Sequence, residues 1–323
     1  MPDRGFAVRL LVLAALLFVG VVGVAGYQAY WRPVAAAFQE STGQVVPRPT
    51  VAPDAPPAPT PTPAASRRTN ILLLGSDTDA KFTGVYDTQI MLVVSLDPQN
   101  KHVSMLSIPR DLWVPIPGFG MGKIGTAYHD GGLALARDTI ERNLQIPIDY
   151  YAWVGLQGFV NVIDTLGGVD LDVLHPIVDD SYPDDVANPD DPYAYRRLYI
   201  PAGPQHLDGT RALEYVRSRH GDLVGDFGRS DRQQQLLQAV RSKTDGKTLV
   251  GRLPQLANDL QGSVRTDMNL LDIAHFAALA DQVKGQPVQQ FVLVPPDYST
   301  NGTSADGQSI VIPNWPAIRQ LVS

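Results

Sequence analysis

The sequence predicts an α/β head with a mixed central β-sheet flanked by helices, set behind an N-terminal transmembrane helix. Three observations predict it. Residues 10–30 form an apolar run of membrane-crossing length, residues 45–66 are dense in proline, and beyond them short continuous apolar runs alternate with amphipathic ones. The organisation that follows is a short cytoplasmic tail (1–9), a transmembrane helix (10–30), an extracytoplasmic stalk (31–67), a principal domain (68–245) and a C-terminal part packed on the same head (246–323).

The apolar run reads LLVLAALLFVGVVGVAGYQA. At 1.5 Å per residue, about 20 residues span a hydrocarbon core about 30 Å thick. Arg4 and Arg9 precede it, Tyr27, Tyr30 and Trp31 sit at its far end as interfacial aromatics, and the short basic start favours a cytoplasmic N-terminus. A cleaved signal peptide is the rival reading. The run is long for a signal h-region, and no small-x-small cleavage site with a polar follow-up is visible. The stretch VVPRPTVAPDAPPAPTPTPAAS then excludes helix and ladder alike, which leaves an extended polyproline-like spacer.

In the head, Asn70–Leu74 is a buried strand closed by Gly75, and Thr88–Leu96 and His102–Ile108 are two more, joined by an Asp97-Pro98-Gln99-Asn100 turn. Helices are expected at Leu133–Leu144 and Leu156–Leu166, with strands at Tyr150–Val154 and Val169–Val173. An irregular acidic insert covers Asp184–Arg197. Asp208 then caps a helix to about Val216, and Ser230 or Asp231 starts a longer one to about Lys243. The tail from Leu249 shows two helical patterns, a strand at Phe291–Val294 and a last helix near Trp315–Val322.

Net charge is −7, which argues against a nucleic-acid binder, so any anion site must be a local concentration of basic residues. Cysteine is absent, which excludes disulfides, thiol catalysis and thiolate-bound zinc. No HExxH, GxSxG or Rossmann fingerprint appears, and GFGMGK, a glycine-rich loop ending in Lys123, lacks the rest of a P-loop.

An antiparallel meander of the first three strands gathers Asp77, Asp87, Arg110 and Asp111 at one sheet edge. Two carboxylates there repel unless a cation lies between them, and oxygen ligands of that kind suit Mg²⁺. Strand-ending aspartates in turns are the plainer account of the same spacing. The second constellation is EYVRSRHGDLVGDFGRSDRQQQLLQAV. Arg217 and Arg219 share a face in an extended exit from one helix, and Arg229, Arg232 and Gln233 share a face near the start of the next. Helix N-termini favour anions, and several guanidinium groups add a pocket for more than one phosphate. His220, within this cluster, reads either as a general base or, more commonly for a lone histidine among arginines, as a hydrogen-bonding spacer, and Lys123 is a candidate for a further phosphate contact.

These stretches together resemble the LytR-CpsA-Psr family. The matching segments are NILLLGSD (70–77), YDTQIMLVVSLD (86–97), SMLSIPRDLWV (104–114), KIGTAYHDGG (123–132), GFVNVIDTLGGVDLDV (158–173), LDGTRALEYVRSRH (207–220) and GDFGRSDRQQ (225–234). Gly125 stands where the family commonly has Asn, and Tyr86 replaces the usual neighbour of Asp87. The resemblance implies a membrane-anchored phosphotransferase, with 68–245 as its catalytic domain. Such an enzyme moves a glycopolymer from a polyprenyl-pyrophosphate carrier onto peptidoglycan, at a single-pass cell membrane site with the head outside. It implies Mg²⁺, with Mn²⁺ as a substitute, on Asp77 and Asp87. Pyrophosphate binding falls to Arg110, Lys123, Arg217, Arg219, Arg229, Arg232 and Gln233, and catalytic roles to Arg110, Arg219 and Asp226. An apolar tunnel lined by Phe159, Val162, Ile163, Leu166, Leu236 and Val240 would house the lipid; a filled core is the alternative for the same residues. A phosphatase acting on the same pyrophosphate, and a non-catalytic lipid-pyrophosphate binder, are the rival functions.

Overall fold

The structure, a computed structural model, describes residues 68–76, 87–97, 99–184, 191, 194–218, 226–243, 264–268, 272 and 286–323, without the side chains of Asp226 and Phe227. The expected anchor (10–30) and stalk (31–67) lie outside the described residues, as do both helical patterns expected after Leu249 apart from Asp272. Among the described residues no helix is long and apolar enough to cross a membrane.

Three strands open the head: β1 (Thr69–Ser76), β2 (Thr88–Asp97) and β3 (His102–Ser107). They pair antiparallel, with Leu72 opposite Val93 and Val93 opposite Leu106. The expected turn forms because the Asp97 carboxylate accepts the main-chain N–H groups of Gln99 and Asn100 at 3.1 and 3.0 Å. Hydrogen bonds from Asn100, the side chain's above all, hold that carboxyl below its ordinary range.

Next come a hairpin, β4 (Trp113–Ile116) and β5 (Gly120–Lys123), and a helix, α1 (Ala127–Leu144). A break at Gly131–Gly132 leaves Leu133–Leu144 as the continuous body of α1, matching the sequence expectation. Strand β6 (Tyr150–Gly155) runs directly into α2 (Leu156–Thr165). Then follow β7 (Val169–Val173), β8 (Ile177–Pro183), β9 (Tyr195–Ile200), β10 (Gly203–Leu207), α3 (Gly209–Arg217) and α4 (Asp226–Lys243). The last third adds β11 (Val264–Thr266), β12 (Val288–Val292), the hairpin β13 (Ser299–Thr303) and β14 (Ser309–Pro313), and α5 (Trp315–Val322).

The central sheet is mixed, in the order β11-β6-β1-β2-β3-β12. β6 lies parallel to β1 and β12 parallel to β3, while the remaining pairs are antiparallel. Helices lie against both faces. On one, Leu72, Leu74, Val93 and Leu106 pack with Ile140 and Leu144 of α1 and Ile318 of α5. Each such side chain removed from water contributes roughly 1.5–3 kcal/mol before chain entropy is set against it. On the other face, Nε2 of buried Gln234 in α4 donates to Ser107 Oγ at 2.7 Å and to the Phe291 carbonyl at 3.0 Å, tying α4 across β3 and β12.

A second apolar cluster joins Ile163, Ala212, Val216 and Leu236 of α2, α3 and α4 to the strands β7–β10. Here α3 starts at its cap, where Asp208 accepts the Arg211 N–H at 2.8 Å, a contact worth about 1 kcal/mol. Gly209 allows α3 to meet α2 closely. A Cβ at that position would fall 2.2 Å from the Val160 carbonyl oxygen, and the Gly209 N–H donates to Asp164 Oδ1 at 2.7 Å.

Three local expectations are corrected. The helix expected from Ser230 or Asp231 begins at Asp226. Gly228 weakens its first turn, but Arg232 fastens that turn to α3, so tertiary contacts override propensity. GFGMGK is not a loop: its last four residues form β5, held by pairing with β4, whose Val114 and Ile116 are buried. The strand expected at Phe291–Val294 starts three residues earlier, at Val288, because it takes its register from β3.

Candidate functional site

The parallel pair β1–β6 sets the site. Gly75 and Ser76 at the end of β1 stand beside Val154 and Gly155 at the end of β6, and β2 begins beside Ser76. Space beyond strand ends, where the chain turns into helices, is the usual ligand position in such sheets. A cavity of about 220 Å³ occupies it. Ile90, Val154, Leu156, Phe159, Leu213 and Val216 make most of the wall apolar, while Arg217, Arg229, Gln233 and Asp179 provide its polar groups.

A second chamber, of about 590 Å³, lies on the other side of Gln89, Arg229 and Gln233, which line both. Arg110 and Lys123, with Asp111 between them, form its charged wall. Arg110 emerges past the end of β3 and donates through Nη1 to Gln89 Oε1 at 2.7 Å. Asp111 lies between two cations, with Lys123 Nζ at 2.8 Å and Arg110 Nε at 3.5 Å. Gly125 clamps the main chain here: its N–H donates to the Arg110 carbonyl at 2.9 Å, and a Cβ on it would meet Arg110 Cβ at 3.0 Å. Glycine at this position therefore leaves room for Arg110 to lie as it does.

The arginine cluster is divided by its packing. Arg229 and Gln233 stand one turn apart on α4 and face both chambers. Arg217 ends α3 and reaches the apolar cavity. Arg232 turns the other way, donating to the Tyr215 and Ser218 carbonyls, at 2.5 and 2.7 Å, with its guanidinium 5.7 Å from the centre of the Tyr215 ring. It lines neither chamber and fastens α4 to the end of α3. Asp77 and Arg219 lie outside the described residues, as does the Asp226 side chain. Asp87 stands immediately before β2, where its carbonyl accepts Ser76 Oγ at 3.4 Å. Among the described residues no group of three or more His, Cys, Asp or Glu is placed to hold a metal.

Of the six expected tunnel residues only Phe159 lines the cavity; Ile163, Leu166 and Leu236 are buried core, and Val240 packs against that core. Residues that spacing did not single out are present instead. Buried Asp179 accepts Ser218 Oγ at 2.7 Å and the Ser181 N–H at 3.1 Å, fixing the residue that follows Arg217. Gln89 steers Arg110, and Asn301 and Ser309 reach the second chamber from β13 and β14. Asp179 lies in the pattern IVDD, whose alternation puts one aspartate on the buried side of a strand. For Asn301 and Ser309 no sequence signal exists.

Chemically, the two chambers suit one amphiphile: an apolar chain in the first, an anionic head in the second, and Arg229 with Gln233 at the junction.

Residues 39–320 match the profile of the LytR_cpsA_psr family. Among curated proteins, the chain is 34% identical over 283 residues to the polyisoprenyl-teichoic acid–peptidoglycan teichoic acid transferase TagV of Bacillus subtilis (strain 168), covering 82% of this chain and 64% of TagV. It therefore spans a little under two thirds of that relative's length. It is also 34% identical over 248 residues to the regulatory protein MsrR of Staphylococcus aureus (strain COL), covering 75% of this chain and 70% of MsrR. Among solved structures, B. subtilis TagV superposes with a TM-score of 0.62 at 29% identity, covering 80% of this chain and 96% of that one.

Proposed function

Since the chain belongs to the LytR_cpsA_psr family, we propose that it is a phosphotransferase that moves a glycopolymer from a polyprenyl-pyrophosphate carrier onto peptidoglycan. The observation that carries this reading is that the apolar cavity and the chamber of Arg110 and Lys123 share Arg229, Gln233 and Gln89 as lining residues. The similarity to TagV, a teichoic acid transferase, supports the same reaction class. Residues 10–30 anchor the chain in one pass with the N-terminus cytoplasmic, and the stalk holds the head outside the membrane.

In the proposed reaction the polyprenyl chain enters the apolar cavity and the pyrophosphate lies at the junction. Arg110 and Arg229 offer planar forks to phosphate oxygens, and Lys123 and Arg217 add charge. Arg219 belongs to the same set by sequence. Asp77 and Asp87 would hold Mg²⁺, which when bound neutralises charge on the pyrophosphate. An acceptor hydroxyl of peptidoglycan attacks the phosphorus bonded to the glycan. The P–O bond to the bridging oxygen breaks, polyprenyl phosphate leaves, and the glycan keeps its phosphorus as a phosphodiester. Asp111 is already engaged by Lys123 at 2.8 Å and Arg110 at 3.5 Å. Asp226, in the first turn of α4, is the proposed base.

The test is incubation of the protein with a lipid-pyrophosphate oligosaccharide and peptidoglycan fragments, with and without Mg²⁺. Metal-dependent glycan–peptidoglycan phosphodiester is expected. Release of glycan phosphate irrespective of acceptor would make the protein a phosphatase instead. The regulatory name of MsrR favours a second reading, a non-catalytic lipid-pyrophosphate binder; binding without any turnover would establish it.

A further inference from the structure

The C-terminal hairpin β13–β14 forms part of the wall of the second chamber, beside the segment that carries Arg110. Main-chain bonding stitches it there: the Val311 N–H donates to the Asp111 carbonyl at 2.9 Å, and Leu112 bridges Val311 in the parallel sense. The segment that presents Arg110 and the hairpin beside it are thus one unit. Register pairs Asn301 with Val311 and Thr303 with Ser309, so these four residues share one face of the hairpin. Asn301, Ser309 and Val311 line the chamber together with Arg110, Lys123 and Arg229.

The two walls differ in chemistry. One presents permanent positive charge. The other presents a carboxamide, a hydroxyl and an apolar patch, with no cation. A carboxamide and a hydroxyl both donate and accept, which matches alcohol groups; a second phosphate would gain little from them. Beyond them Asp306 repels anions. Hydrogen bonds from Ser304 and Gln308 hold its carboxyl below the ordinary range, with the charge of Lys123 adding to the effect. The same bonds stiffen the tip, where Ser304 Oγ also accepts the Gln308 N–H at 3.0 Å. The wall therefore keeps its shape without a ligand. At about 590 Å³ the chamber is within the range of sites that enclose a ligand of several rings, more than a pyrophosphate alone requires.

We propose that this face of the hairpin is a sugar subsite. Asn301 and Ser309 hydrogen-bond hydroxyls of the sugar joined to the phosphate at Arg110 and Arg229, with Val311 against the apolar side of the ring. The subsite rests on the lipid-pyrophosphate reading given above. It assigns the C-terminal part of the chain the recognition of which glycan is carried, separate from the recognition of the carrier.

The test compares two ligands on the full chain in detergent: polyprenyl pyrophosphate bearing no sugar, and the same lipid bearing a disaccharide. In the double variant Asn301→Ala, Ser309→Ala, loss of two neutral hydrogen bonds is expected to weaken the glycosylated lipid about tenfold and leave the sugar-free lipid unchanged. An unchanged melting temperature verifies the fold of the variant, whose substitutions are at exposed positions. Equal weakening of both ligands, or of neither, overturns the subsite. An unchanged donor affinity with a raised KM for peptidoglycan fragments also overturns it, by moving the contact to the acceptor. Wild-type protein that binds neither lipid refutes the lipid-pyrophosphate reading itself and the subsite with it, a result visible before any variant is made.

Discussion

Filling the apolar cavity separates a lipid site from an unoccupied gap in the core. Val154, half-buried on β6, lines the cavity and pairs with Gly75 and Val264. At roughly 30 Å³ per water-sized group, the 220 Å³ cavity holds about seven such groups, a little more than one five-carbon isoprene unit. The substitution Val154→Trp adds about seven heavy atoms, enough to fill it. Each methylene removed from water is worth about 0.8 kcal/mol, so the cavity offers a gross 5–6 kcal/mol, about half of which a displaced chain regains on the surrounding surface. The remaining loss of about 3 kcal/mol is roughly a hundredfold in affinity. The assay compares KM and Kd for a long-chain polyprenyl-pyrophosphate donor and for a soluble analogue truncated before its first full isoprene unit. Wild-type protein prefers the long chain by that factor, and the variant loses the preference while binding the short analogue as before. Overpacking costs about 1–3 kcal/mol of stability, so the melting temperature is measured alongside. A variant that keeps the wild-type preference for the long chain would refute the assignment.

Two further outcomes are expected. Arg229→Ala, which removes the guanidinium common to both chambers, should lower kcat/KM about a hundredfold or more, and Arg229→Lys should restore only a small part because a point charge cannot span two phosphate oxygens; full activity in the lysine variant would exclude a bidentate role. Asp267 provides a pH signature: burial raises its carboxyl above the ordinary range, partly offset by the Tyr151 N–H at 2.8 Å and Arg137 at 3.4 Å. The native state therefore holds this proton to higher pH than the unfolded chain, so between the ordinary carboxylate value and the raised folded one the contribution of Asp267 to stability falls as pH rises. Asp267→Asn should remove that slope in urea midpoints taken across acid to neutral pH, and a slope of opposite sign in the wild type attributable to this residue would contradict the assignment.

The central meander was legible because its strands are continuous apolar runs with a strong turn between two of them, and its direction alone placed Asp87, Arg110 and Asp111 at one edge, with Asp77, the fourth residue expected there, outside the described residues. The cationic cluster was legible as a cluster, but not in its division of labour. Spacing at i, i+3 and i+4 places Arg229, Arg232 and Gln233 near one another, and only the packing of α3 on α4 decides that Arg232 serves main-chain carbonyls. The cavity's lining was misjudged for a similar reason: Ile163 and Leu236 have the right period to face inward, yet inward is a filled cluster between helices. The hairpin β13–β14 was missed because its first strand, STNGT, has no apolar alternation, although its second, SIVIP, is rich in β-branched residues; its position comes from main-chain bonding to a partner nearly two hundred residues away from Asn301, at Asp111.

Both outer strands of the central sheet, β11 and β12, come from the last third of the chain, and β12 joins β3 across an interval of more than 180 residues. A nascent chain that has emerged only as far as α4 has its meander and β6 but leaves the flanks of both β3 and β6 uncovered, each a row of open donors and acceptors ready to pair with another molecule. Closure waits for the end of synthesis, and long-separation pairing of this kind is slow. The head is thus completed as a unit only after its terminal residues are free, and a chain cut short before Val264 is expected to aggregate rather than persist as a smaller working domain.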